Sequence, residues 1–161
     1  MKLDALDIKV LEIIQRNSKP STTEIARDLG VPVTTVYSKI RRLEKAGVIQ
    51  GYRAILDGKK LGKSAIAFIL ATVSYGAQRY DLDSAVARQV SRFREVQEVH
   101  LLSGEWDFLI KLRASDIDSV GKFLVEKLKT VDGIDRTVTC LVFETTKETT
   151  EMDLPKPNSK N

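Results

Sequence analysis

The stretch "STTEIARDLGVPVTTVYSKIRRLEKAG", residues 21–47, leaves the chain few folds to choose from. Ser21 with Glu24 three residues on is the reciprocal capping pair that opens a helix, here over 22–29. Gly30 supplies the positive φ at which a helix stops, and Pro32 suits the first turn of the next one. Ile25, Ala26 and Leu29 give the first helix an inner face; Val36, Ile40 and Leu43, at i, i+4, i+7, give one to the second. Neither stripe can be buried by its partner alone. Residues 3–16 supply the remainder, with Leu3, Leu6, Ile8, Val10, Leu11, Ile13 and Ile14 at largely helical spacing. A helix, a tight glycine turn and a helix, backed by a third, is the outline of a helix-turn-helix.

The face of the last helix that is left over carries Thr34, Thr35, Ser38, Arg41, Arg42 and Lys45, and no acid occurs between Gly30 and Glu44. Short hydroxyl side chains let a helix come close to DNA, a threonine methyl can meet a thymine methyl, and arginine offers a fork for guanine or phosphate. Tyr37 reads two ways, as a ring packed at the edge or as a hydroxyl for phosphate. Thr22 and Thr23 stand in a helix first turn, which suits a phosphate and equally suits ordinary helix-start chemistry. A polar outer face is also the rule for any surface helix.

Charge separates the two readings. Residues 1–63 hold 13 Lys+Arg against 7 Asp+Glu, and residues 64–161 hold 13 against 15. A basic first module that meets a polyanion is followed by a near-neutral second one. After Gly47, "VIQGYRAIL" is β-like, with Tyr52, Ala54 and Leu56 alternating against Arg53 and Ile55; a two-stranded wing or a linker strand fits it. "LDGKKLGK" reads as a connection. The divisions expected are 1–50, a linker and hinge over 51–63, a second domain over 64–146 and a polar tail over 147–161 that frays.

In the second domain "SAIAFILATVSY" is a buried strand, and residues 79–93 form a helix through Leu82, Ala85, Val86, Val90 and Phe93. "EVQEVHLLSG" and "WDFLIKLRA" are two strands. Residues 116–130 form a helix with Ile117, Val120, Phe123, Leu124 and Leu128 inward, and "GIDRTVTCLVFETT" is a last strand. The order βαββαβ is ferredoxin-like, so the overall class is α+β. Helices on one side leave an open sheet face, and its apolar content predicts a dimer.

The N-terminal pattern is identified as that of the Lrp/AsnC (feast/famine) family. The residues that carry the resemblance include Val36, Ile40, Leu43, Glu44, Gly47, Val48, Ile49, Gly51, Tyr52, Ala54, Leu56, Asp57, Leu61 and Gly62, and the likeness runs over about residues 2–146. Lys39 departs from the usual arginine, keeping the charge and losing the planar fork. The resemblance implies a winged-type helix-turn-helix joined to a ferredoxin-like, amino-acid-binding (RAM) domain that forms dimers, with tetramers or octamers beyond. It implies that "GEWD", residues Gly104, Glu105, Trp106 and Asp107, is the ligand loop. Gly104 there permits close approach, Glu105 or Asp107 holds an ammonium, and Thr137 and Thr139 add hydroxyls from the last strand. On residues alone, "SGEWD" is equally a hairpin turn, and Trp106 lines the loop or anchors it.

Other chemistry is poorly provided for. No Ser/His/Asp set, phosphate-cradling loop or metal spacing occurs, which argues against catalysis, a resident cofactor or a metal. His100 reads as a packed or surface residue and Cys140 as a small core residue. The charged N-terminus and the lack of a long apolar run suggest a cytoplasmic protein without membrane contact. The expected function is a transcriptional regulator that binds double-stranded DNA and is modulated by a small effector, an amino acid by resemblance. An effector-independent architectural DNA-binding protein is the alternative, and a small enzyme on the second domain a further class.

Overall fold

The computed structural model describes residues 2–74 and 79–155, with side chains from 79 to 84 not described. Tyr75, the side chain of Leu82 and tail residues 156–161 lie outside the described residues. The chain divides into two compact units. One runs through Ile55 and takes in the C-terminal segment from Lys147; the other is Leu56–Thr146.

The first unit is built on α1 (Ala5–Arg16), α2 (Thr22–Leu29) and α3 (Val33–Lys45). Two capping boxes start helices. Asp4 pairs with Asp7 at α1, and Ser21 pairs with Glu24 at α2. Each satisfies amides that the helix cannot. Gly30 closes α2 in the left-handed conformation, φ 66, and Val31 N–H reaches back to the Ala26 carbonyl. This turn sets α3 across α2. Val10, Leu11, Ile25, Ala26, Val36 and Leu43 fill the core. Residues 50–56 are not paired as a strand among the described residues.

The segment expected to fray is tied down as far as Leu154. The Gln15 side-chain amide donates to the Met152 carbonyl at 3.0 Å and accepts from the Met152 N–H at 3.2 Å. Leu154 packs on the helical core. One side chain on α1 thus pairs with tail backbone as a neighbouring strand would.

The second unit contains β1 (Ala65–Val73), α4 (Arg79–Val90), β2 (Val96–Leu101), β3 (Phe108–Ala114), α5 (Ile117–Glu126) with a 3-10 turn over Leu128–Thr130, and β4 (Ile134–Leu141). The sheet order is β2-β3-β1-β4, with each neighbouring pair antiparallel. Alternation gives the sheet two characters. Ala67, Ile69, Ala71, Phe108, Ile110 and Leu112 are buried together with Val86, Val90, Val120 and Phe123 of the helices. Ile66, Phe68, Leu70 and Leu109 face the other way and are only half-buried.

Three expectations need correction. Cys140 is exposed, because it opposes Phe68 on the open face. Ile117 is 64% exposed: Asp116 caps α5 and sets Ile117 in its outermost turn, ahead of the inward Val120 and Phe123. Ala85 is exposed as well, while Val86 and Val90 are the buried positions of α4.

Candidate functional site

The first candidate surface is the outside of α3. Thr34, Tyr37, Ser38, Arg41 and Lys45 are exposed and Thr35 is half-buried. Successive helical residues turn by about 100°, so Thr34, Ser38, Arg41 and Lys45 share one stripe, whereas Thr35, Lys39 and Arg42 share the next. The second stripe leans on α1. Arg42 ion-pairs with Asp7, and Lys39 lies 3.3 Å from Asp7 and also pairs with Asp4. Asp7 is fully buried; its Oδ2 accepts from the Asp4 N–H at 2.8 Å as well as from Arg42. Its Oδ1 has Lys39 as a charge neighbour but no hydrogen bond. The Lys39 ammonium beside Asp4, aided by backbone N–H donors, holds that carboxyl down at about 2.

Arg41 and Arg42, adjacent in sequence, therefore have different work. Arg41 projects outward, with Glu44 at 3.1 Å as its neighbour. Arg42 is 45% exposed yet anchored to α1. Glu44 also accepts from the Tyr52 hydroxyl at 3.1 Å. Ser38 donates to the Thr35 carbonyl at 2.9 Å. Thr22 is half-buried and Thr23 exposed in the first turn of α2, where Ser21 and Glu24 supply the capping bonds. In the sequence Asp7 looks like one of several charges between the apolar residues of α1. Its place on the stripe Leu3, Asp7, Val10, Ile14 was the available signal.

The second candidate lies between β2 and β3. Gly104 takes φ 135, which few side chains tolerate, and the loop closes where Leu102 N–H meets the Asp107 carbonyl at 2.9 Å. Asp107 is buried and accepts from the Val73 N–H through Oδ2 at 2.9 Å, so this carboxylate locks the loop to β1. Glu105 is exposed and lies 3.5 Å from Arg136 of β4, whose guanidinium stands 4.8 Å above the Trp106 ring. Thr137 and Thr139 oppose Ala71 and Ile69, and so share the helix-covered side of the sheet at its edge strand. Arg136 falls where the β1–β4 register skips between Ala71 and Val73, and its N–H donates to the Thr72 hydroxyl at 3.2 Å. The structure thus gathers Gly104, Glu105 and Trp106 with Arg136, uses Asp107 as the hinge pin, and sets the two threonines on the other side. His100 is exposed, 3.3 Å from Glu98.

Two stretches of the chain match known domain families. Residues 3–50 match the winged helix-turn-helix DNA-binding domain, and residues 66–152 match the Lrp/AsnC ligand-binding domain. The chain belongs to the Lrp/AsnC family of transcriptional regulators. A helix-turn-helix regulator of Pyrococcus horikoshii is 38% identical over 151 residues, 91% of this chain and 96% of that one. The leucine-responsive regulatory protein of Haemophilus influenzae is 35% identical over 147 residues, 91% of this chain and 87% of its own. The Lrp/AsnC fold recurs in a Neisseria meningitidis transcriptional regulator solved with L-Met, at a TM-score of 0.88 and 24% identity, over 94% of this chain and 97% of that one. Among the described residues no helix is long and apolar enough to cross a membrane.

Proposed function

We propose that this Lrp/AsnC protein binds specific double-stranded DNA through the Thr34–Ser38–Arg41–Lys45 stripe, as a dimer or larger assembly, and that a small effector of the amino-acid class adjusts its binding or assembly. The observation that carries the DNA half is the division of labour on α3. One cationic stripe is tied to buried Asp7, so the neighbouring stripe is held at a fixed angle and presented outward. Pre-orientation of this kind lowers the cost of docking. The half-buried apolar side chains of the open sheet face support self-association, which pairs two such helices to read successive half-sites. The effector half is supported by the family's ligand-binding domain and by the L-Met bound to the Neisseria protein. The chemistry proposed is binding, with no resident cofactor or metal, in the cytoplasm.

The test uses genomic fragments selected by the purified protein. Arg41→Ala is expected to weaken mobility-shift affinity about tenfold or more and to reduce the salt slope by about one. Light scattering during titration with the twenty amino acids is expected to change for a few of them. Unaltered duplex affinity in Arg41→Ala, or equal affinity for random DNA, would count against specific reading by this stripe.

A further inference from the structure

The proposed effector loop has one cation that the sequence did not single out. Arg136 enters it from β4 at the register skip opposite Thr72, held there by its own N–H. Its guanidinium lies 4.8 Å from the Trp106 ring centroid and 3.5 Å from Glu105 Oε1. Its side chain is 59% exposed and that of Glu105 is 73% exposed. An ion pair so open to water adds little to folding, and both its members can change partners. The cation–π contact with the indole meanwhile holds the guanidinium over the loop before any ligand arrives. Asp107 is buried and bonded to Val73, which leaves Glu105 as the acid of the loop within reach of solvent. The amides of Gly104, Glu105 and Trp106 donate to no group among the described residues.

We infer that Arg136 is a specificity-determining residue of the effector site, receiving the α-carboxylate of a zwitterionic amino acid while Glu105 receives its α-ammonium. An adjacent cation and anion that neutralise one another at rest are matched by a ligand carrying the same two charges on neighbouring atoms. The zwitterion then replaces one exposed pair by two charge-assisted ones, which are stronger than neutral bonds. A ligand with only one of these charges would leave either Arg136 or Glu105 without its partner. This inference rests on the amino-acid reading above, and the experiment separates the two.

Calorimetry on the full chain first identifies which of the twenty amino acids binds, then measures its methyl ester and its des-amino analogue. Wild type is expected to prefer the free acid over the ester. Arg136→Gln is expected to lose about tenfold or more for the free acid and nothing for the ester, since one charge-assisted bond is worth that much. Arg136→Lys should fall between, and Glu105→Gln should erase discrimination against the des-amino analogue. If wild type binds an amino acid and Arg136→Gln binds it equally well, the role of Arg136 is overturned and the amino-acid reading stands. If wild type binds none of the twenty, both fall.

Discussion

The two units solve the problem of small size in different ways. Among the described residues, six buried hydrophobic residues make the core cluster of the helical unit, and fourteen make that of the sheet unit. The sheet unit keeps its ion pairs toward the outside: Glu98–Lys111 at 3.1 Å and Glu95–Lys127 at 2.5 Å each have partly exposed members. Each unit buries a carboxylate, but where Asp107 of the sheet unit accepts from the Val73 N–H, the helical unit wraps two cations of α3 around Asp7. It also recruits Leu154 and Met152 from the far end of the chain. A three-helix unit whose outer face must stay polar has little apolar surface to spend, and its stability is supplemented by charge and by borrowed chain. The lesson is that the same α3 residues which look like DNA contacts in sequence are partly structural.

The largest break in this comparison is expected from Leu43→Ala. Leu43 is fully buried in the small core, and its truncation should cost about 3 kcal/mol. Trp106 is the chain's single tryptophan and lies in the sheet unit, so its fluorescence reports that unit alone. Far-UV dichroism, by contrast, sees both. The dichroism transition should move to lower urea while the fluorescence transition stays, and a joint shift of both would show that the units do not unfold separately. Asp7→Asn is the next largest. It leaves Arg42 and Lys39 without their buried anion and should cost about 2 kcal/mol, again in the dichroism alone. A wild-type melt for this variant would mean that Asp7 contributes nothing net.

The smallest effect sharpens the comparison through pH. The folded Asp4 carboxyl is held at about 2, below its ordinary 3.8, foremost by its hydrogen bond from Lys39. A depressed carboxyl contributes stability that is fully present above its unfolded value and is lost as pH falls through the folded one. Between roughly pH 4 and 2, wild type should therefore lose more stability than Asp4→Asn, by a modest amount since Asp4 is half exposed. Parallel acid titrations of the two proteins would remove the point.

Local chemistry was legible in the sequence wherever its partners were near in the chain. The Ser21–Glu24 box, Gly30 and the i, i+4, i+7 stripe of α3 each signal themselves within a turn or two. The βαββαβ order of elements followed from the periodicity of each segment. What stayed hidden depends on distant partners. Asp7 is explained by residues of another helix, and Arg136 by a loop before the preceding strand. Arg41 and Arg42 look equivalent in a string of letters, yet a single helical step separates the one that projects outward from the one tied to α1. Cys140 looked apolar enough for a core, but an edge strand beside an open face gives it none. The bond of Asp107 to the Val73 N–H crosses from one strand to another and so leaves no local sign in the sequence.

The return of residues 147–154 to α1 has a consequence for biogenesis. The helical unit is begun by residues before Leu56 and completed by residues after Thr146, with the whole sheet unit synthesised in between. Early in translation its three helices must hold together without their clasp. The contact with Gln15 and Leu154 then closes only when the sensing half is already made, so a chain cut short within that half carries helices fit to fold but left unfastened.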